Sequence, residues 1–368
     1  MTGRPRPAIA ALPAYRPGRS AAVVEAELGV SGALKLASNE APFGPLASVA
    51  GAISAGIESV NLYPDHGAVA LRHDLATHVG VDVERVTVGA GSAGILQQIL
   101  LAFCEPGDEV AMCWPSFEAY PIFAMLVEAE QVRVPLRDET FDLPALAESV
   151  GPRTRVAFVT NPNNPTGTVV GTDEIRAFLD AVPDSCLVVL DEAYSEFVTD
   201  PRVTDSSALV AEHDNLVVTR TFSKAHGLAA LRVGYAVGHP DVVAMIDRTS
   251  VPFAVNDLAQ RAARASLAAA DEMRERVAQV VAERDRVTGE LRAAGWDVPD
   301  AQANFVWMPV RERAGELAGA LERRGVVTRA FADAGIRVTI ADRAGDDRFL
   351  SALADAVADG GDDRGDRG

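Results

Sequence analysis

The sequence predicts an α/β protein: a large domain built on a mixed, mostly parallel sheet covered by helices, plus a smaller α+β domain. Three observations carry this. Between residues 85 and 238 short Val/Ile/Leu-rich segments alternate with stretches of helical period, the pattern of strands buried on both faces. After about residue 256 the texture changes to one long charged helical stretch followed by a few short strand candidates. The 368 residues also exceed what one core fills, since single cores stop growing at about 250–300 residues.

Element by element, the start "MTGRPRPAIAALPAY" breaks its apolar run with proline too early for a signal peptide, and no apolar run approaches the roughly 18 residues of a membrane span. A cytoplasmic protein with no membrane partner is expected. Strands are read at "RVTVG", "EVAMC", "QVRVP", "RVAFVT", "CLVVLD", "NLVVTRT" and "RVGYAVG", with helices over 93–104, 172–181 and 240–248 among them. The stretch 271–295 has apolar residues at helical spacing and ends in Gly295, a C-cap signal. Next come "ANFVWMPV", a helix over 314–324, "VVTR", "IRVTI" and a last helix. The tail 359–368, "DGGDDRGDRG", has nothing apolar to bury and is expected to be disordered. The expected division is an N-terminal arm over 1–38 that joins the small domain, a large domain over 39–255 and a small domain over 256–358.

The composition is 48% hydrophobic and 23% charged, and the net charge of −18 argues against nucleic acid as a partner, since its phosphates would be repelled. Cys104, Cys113 and Cys186 form no C-x-x-C pair and lie in or beside apolar runs, so they read as reduced and buried. Neither they nor His66, His73 and His78 show metal-ligand spacing.

Gly89, Gly91 and Gly94 match G-x-G-x-x-G in a strand–turn–helix context. Such a turn lets the backbone approach an anion while the first helical N–H groups point at it. A dinucleotide site would also need an acid closing the next strand, about 20 residues on. Here Asp108 and Glu109 open that strand, and it closes with Cys113 and Trp114. The turn therefore stands for an anion site whose remaining parts lie elsewhere.

In open α/β sheets ligands bind beyond the carboxyl ends of the strands. "NPNNPTG" follows "RVAFVT", "DEAY" follows "CLVVL", "TFSK" follows "NLVVTR", and Arg232 opens the next strand. Asparagine, aspartate, tyrosine, lysine and arginine converging on one rim are the groups that pyridoxal 5′-phosphate needs. Lys224 can condense with the cofactor aldehyde and later act as acid and base. Asp191 can keep the ring nitrogen protonated, and Asn164 and Tyr194 can donate to the ring oxygen. Arg232, Ser223, Thr221 and the turn at Ser92 and Ala93 suit a phosphate dianion. Phe117 could stack on the ring, or simply be core. Taken singly, each of these residues has a plainer reading: a surface lysine, a helix cap, a turn. An NAD-dependent oxidoreductase and a non-catalytic regulator remain as rivals, the first lacking its acid, the second a DNA-binding domain.

The stretches "LASNEAPFGP", "NLYPD", "NPNNPTG", "DEAY" and "TFSKAHGLAALRVGYAVG" resemble the fold-type I, pyridoxal-phosphate-dependent aminotransferases of the histidinol-phosphate aminotransferase group. Within that group the chain resembles the actinobacterial aromatic amino acid aminotransferases, from about residue 8 to 350. The resemblance implies a homodimer in which Tyr63 reaches the phosphate of the neighbouring subunit's cofactor. It implies catalytic roles for Lys224, Asp191 and Tyr194, and a substrate α-carboxylate held by Arg337 beside Asn164. Arg329 is a second anion-binding candidate, which relatives handling histidinol phosphate could use for the phosphate. The implied reaction is ping-pong transfer of an amino group from phenylalanine or tyrosine to a 2-oxo acid, 2-oxoglutarate. Histidinol-phosphate transamination, a specialised-pathway aminotransferase and a decarboxylase are the alternatives. Three departures bear on substrate choice: Ala93 and Gly94 replace an acidic pair common in histidinol-phosphate enzymes, His226 stands where Phe or Tyr is usual, and "IADRAGDDRF" lacks the usual glycine and Glu-Glu-Asn run.

Overall fold

The computed structural model describes residues 3–13 and 18–362. A two-residue strand, β1 (Leu34–Lys35), precedes the strands of the main sheet: β2 (Val86–Gly89), β3 (Glu109–Trp114), β4 (Glu130–Pro135), β5 (Thr154–Thr160), β6 (Leu187–Asp191), β7 (Leu216–Thr221) and β8 (Gly234–Gly238). These seven lie in the order β2-β8-β7-β6-β5-β3-β4. Only β8 runs against its neighbours, β7 and β2, so the sheet is mixed and mostly parallel as expected.

Alternation along the strands sends side chains to two packed layers. In β5, Val156 and Phe158 meet Ile95, Leu96 and Ile99 of the helix Gly91–Phe103 in one apolar cluster. Ala157 and Val159 belong to the other cluster, with Ile175, Phe178 and Leu179 of the helix Thr172–Ala181. That second cluster runs on into the C-terminal third through Val287, Phe305, Val338 and Phe349.

Four further strands follow: β9 (Phe305–Met308), β10 (Val326–Val327), β11 (Arg329–Phe331) and β12 (Gly335–Thr339). β11, β12 and β9 make an antiparallel sheet, flanked by the helices Ala270–Ala293, Ala314–Arg323 and Arg343–Asp362. β10 pairs with β1 in parallel, so residues before the main sheet are tied to residues after it. The single strand expected at "VVTR" is thus two. The chain changes partner at Thr328, from β1 on one side to β12 on the other.

The helix Ala270–Ala293 stops as foreseen near Gly295, which takes φ +86, a left-handed value that glycine adopts without steric cost. The last helix corrects the expected tail: it runs to Asp362, four residues into the stretch 359–368, and only 363–368 lie outside the described residues. Arg324 reaches the first residue of that stretch. Its guanidinium pairs with Asp359 and donates to the Asp355 carbonyl at 3.3 Å, fixing the final turns from the side.

All three cysteines are free and buried, and burial pushes each thiol up to about 12. Among the described residues no cluster could hold a metal ion, and no helix is long and apolar enough to cross a membrane.

Candidate active site

A cavity of about 500 Å³ opens at the carboxyl ends of β5, β6 and β7, facing the sheet β11-β12-β9. Of the residues singled out in the sequence, Ser92, Ala93, Phe117, Asn164, Asp191, Tyr194, Thr221, Ser223, Lys224, Arg232, Arg329 and Arg337 line it. Strand register accounts for part of this convergence: Thr160 pairs with Asp191, and Asp191 with Thr219, so three adjacent strands end level with one another.

Lys224 sits in the turn after β7 and its Nζ donates to the Ser38 carbonyl at 3.1 Å. It lies 5.7 Å from the centre of the Tyr194 ring. Burial, and then the Arg337 charge, lower its amine from 10.5 to about 7. A substantial share of the amine is therefore neutral, and nucleophilic, near neutral pH.

Asp191 closes β6 at 3% exposure. Burial pushes its carboxyl up to about 6, opposed by hydrogen bonds from Tyr120 (2.7 Å) and Thr219 (3.3 Å). Tyr120 also meets Thr160 at 2.8 Å and stacks on Phe158, with centroids 4.2 Å apart. The sequence reading missed Tyr120, although it stands three residues after Phe117 in "WPSFEAY". Asn39 was missed as well: its Nδ2 donates to the Tyr194 hydroxyl at 2.9 Å, while Thr339 of β12 holds its backbone and side chain. Its signal was a place inside "LASNEAPFGP".

A candidate anion cradle lies on the same cavity. The helix Gly91–Phe103 begins at Ala90 with no side-chain cap, leaving the early N–H groups of Ser92 and Ala93 directed at the cavity. Arg232 Nη1 donates to Ser223 Oγ at 3.3 Å, and Ser223 and Thr221 hydroxyls stand 2.9 Å apart. Two glycines make the close approach possible. A Cβ on Gly91 would strike the Arg232 guanidinium, and one on Gly234 would strike the Ser92 amide nitrogen. Gly234→Ala is accordingly expected to lower stability by about 1–3 kcal/mol through overpacking, read as a shifted denaturation midpoint, and to weaken anion binding at the cradle.

Arg337 projects from β12 at 7% exposure, donating to Asn164 Oδ1 and, at 2.7 Å, to the Ala37 carbonyl. Its neighbours Ile336 and Val338 are fully buried on the other face. Arg329 lies directly across from it on β11. Glu118 holds Arg329 in a forked ion pair, Nη2 to Oε1 at 2.8 Å and to Oε2 at 2.6 Å. Tyr63 is the candidate that does not join the cavity of its own chain: it is 82% exposed and stacks on Phe253 with centroids 4.6 Å apart.

A buried amine, a buried carboxylate, an anion cradle and a fork of arginines in one cavity can hold a phosphorylated cofactor beside an amino acid. The family model for aminotransferase class I and II matches residues 31–353. The chain belongs to this family. As an aminotransferase it is similar to the aromatic amino acid aminotransferase of Thermobifida fusca (strain YX), with 52% identity over 347 residues, 94% of this chain and 95% of that protein. The enzyme of the same description from Mycobacterium bovis (strain BCG / Pasteur 1173P2) is 49% identical over 352 residues, 95% of this chain and 97% of that one. Among solved structures, the aminotransferase is similar to the histidinol-phosphate aminotransferase of Sinorhizobium meliloti in complex with pyridoxal-5′-phosphate. The TM-score is 0.89 and the identity 28%, covering 97% of this chain and 98% of that one. Membership in the aminotransferases sets aside the nicotinamide and non-catalytic readings.

Proposed function

We propose that this aminotransferase moves the amino group of phenylalanine or tyrosine to 2-oxoglutarate by a ping-pong reaction with pyridoxal 5′-phosphate. The observation that carries the reading is the Lys224 amine, buried, lowered to about 7 and placed in one cavity with Asp191 and Arg337. The likeness of about 50% to aromatic amino acid aminotransferases over nearly the whole chain supports the donor class.

The residues present fit the cofactor: the helix Gly91–Phe103 starts without a side-chain cap, and the close packing at Gly91 and Gly234 sets Ser92, Ala93, Thr221, Ser223 and Arg232 on one cavity wall, a donor set suited to a phosphate. The N–H groups of Ser92 and Ala93, the hydroxyls of Thr221 and Ser223, and the Arg232 guanidinium would hold the phosphate. When bound, pyridoxal phosphate supplies an electron sink for the bond broken at the substrate α-carbon. Asp191 would keep a proton on the ring nitrogen, with Tyr120 and Thr219 fixing its carboxylate. Asn164 and Tyr194 would donate to the ring oxygen, and Phe117 would wall the ring on one side. Arg337 would receive the substrate carboxylate as a bidentate donor, and Lys224 would take the α-proton at Nζ and return it.

On this reading 39–255 form the cofactor domain, 256–358 with the arm 1–38 form the small domain, and the enzyme works in the cytoplasm, where its three thiols stay reduced. A homodimer is proposed as well. It is supported by exposed apolar side chains on two segments, Ile57, Val60, Leu62 and Tyr63 on one and Val251 and Phe253 on the other, which meet where Tyr63 stacks on Phe253. Light scattering should return twice the chain mass. Tyr63→Phe should weaken cofactor binding about tenfold, the order of one hydrogen bond to a charged group, with the dimer intact.

The deciding experiment follows the visible spectrum of the protein loaded with pyridoxal phosphate on adding phenylalanine, tyrosine or histidinol phosphate, each without an acceptor. Bleaching by phenylalanine or tyrosine with release of the matching 2-oxo acid supports the reading. A response to histidinol phosphate alone replaces it, and release of carbon dioxide in place of an oxo acid makes the enzyme a decarboxylase.

A further inference from the structure

We infer that Glu118 is a specificity-determining residue: by occupying Arg329 it leaves the cavity matched to donors that carry a monoanionic carboxylate and closes it to donors that present a phosphate dianion instead. The inference rests on the proposed transamination and deepens it. Arg329 and Arg337 are opposed across the pair β11 and β12, and their guanidinium carbons lie 5.9 Å and 5.8 Å from the same Phe331 ring. Two cations at directly opposed positions repel each other, and together they make a site for a doubly charged anion.

Glu118 changes that balance from within. Its carboxylate takes three donor contacts from Arg329, Nη2 at 2.8 Å and 2.6 Å and Nε at 3.1 Å. It is the residue preceding the helix Ala119–Leu126 yet does not cap it by hydrogen bond, so its oxygens turn to the arginine. The adjacent helix N-terminus favours its negative charge. The Arg329 side chain is only 16% exposed. A phosphate seeking both arginines must therefore displace a forked, partly desolvated ion pair, whereas a carboxylate on Arg337 leaves it undisturbed. The same wall carries Phe117, Ile122 and Phe123, which suit an uncharged aromatic side chain.

The test uses Glu118→Gln in the cofactor-loaded enzyme, following the donor half-reaction without an acceptor. The second-order rate with histidinol phosphate is expected to rise about tenfold or more relative to phenylalanine, the order of one charge-assisted hydrogen bond regained. Calorimetric titration with inorganic phosphate should show a lower Kd by a similar factor, and adding Arg329→Met should cancel both gains. A ratio of the two donor rates and a phosphate Kd that both stay at their wild-type values overturn the inference. So does an equal fall for both donors, which is the mark of a merely structural ion pair. The aromatic reading is judged separately, on which donor the wild-type enzyme prefers; the Glu118 inference is judged on how the ratio changes.

Discussion

Lys224→Ala is expected to lower kcat by about 10⁴ or more, because one substitution removes both the anchoring amine and the group that moves the α-proton, and general acid–base catalysis alone contributes about 10²–10⁴. Steady-state assays with saturating cofactor measure this, and turnover within about tenfold of wild type would sink the assignment of Lys224. The same variant carries a stability signature of opposite sign. Lys224 is lowered from 10.5 to about 7 in the folded protein. Between those two values the unfolded chain binds a proton that the folded chain does not, so cofactor-free wild type gains stability as pH rises through that window. Alanine removes the term. Cofactor-free Lys224→Ala should therefore melt above wild type, with the gap widest below about pH 7 and closing toward pH 10.5. A melting difference that does not change with pH would show that Lys224 titrates normally.

Asp191→Ala is expected to lower kcat by about 10²–10³, the usual loss when one preorganised electrostatic partner is removed from a water-excluded site. Asp191→Asn keeps the size of the side chain but not its charge, and should be impaired to a similar degree if charge on the ring nitrogen is what matters. Asp191→Glu should retain more activity than either. The ionised carboxylate is maintained against burial by the hydroxyls of Tyr120 and Thr219. Tyr120→Phe removes the shorter of the two and is a milder form of the same change. Near wild-type kcat in Asp191→Asn would exclude a charge-based role.

Much of the fold was legible because buried parallel strands read as unbroken apolar runs, and because each such run ends in the polar residues that line the cavity. "RVAFVT", "CLVVLD" and "NLVVTRT" became β5, β6 and β7 with shifts of one residue, and the helices over 172–181 and 240–248 match the structure. The motifs at these strand ends placed Asn164, Asp191 and Lys224 on one rim through backbone geometry alone. Helix ends were less legible where a side contact from a distant element reaches them, as with Arg324 on the final turns.

By itself, the sequence determined the strand order of chemistry: which side chains follow which strand, the glycine turn that admits an anion, and the change of texture after residue 256. Those are properties of short segments, set by periodicity and by turn residues. Only the tertiary structure decided partners. It brought Glu118 to Arg329 across 211 residues and Tyr120 to Asp191 across 71. It split "VVTR" between two sheets and left Tyr63 outside its own chain's cavity. The physical reason is that the meaning of a charge lies in its neighbours: Arg329 has the same guanidinium in the sequence as in the fold, and only packing determines whether that charge faces a substrate or an internal carboxylate.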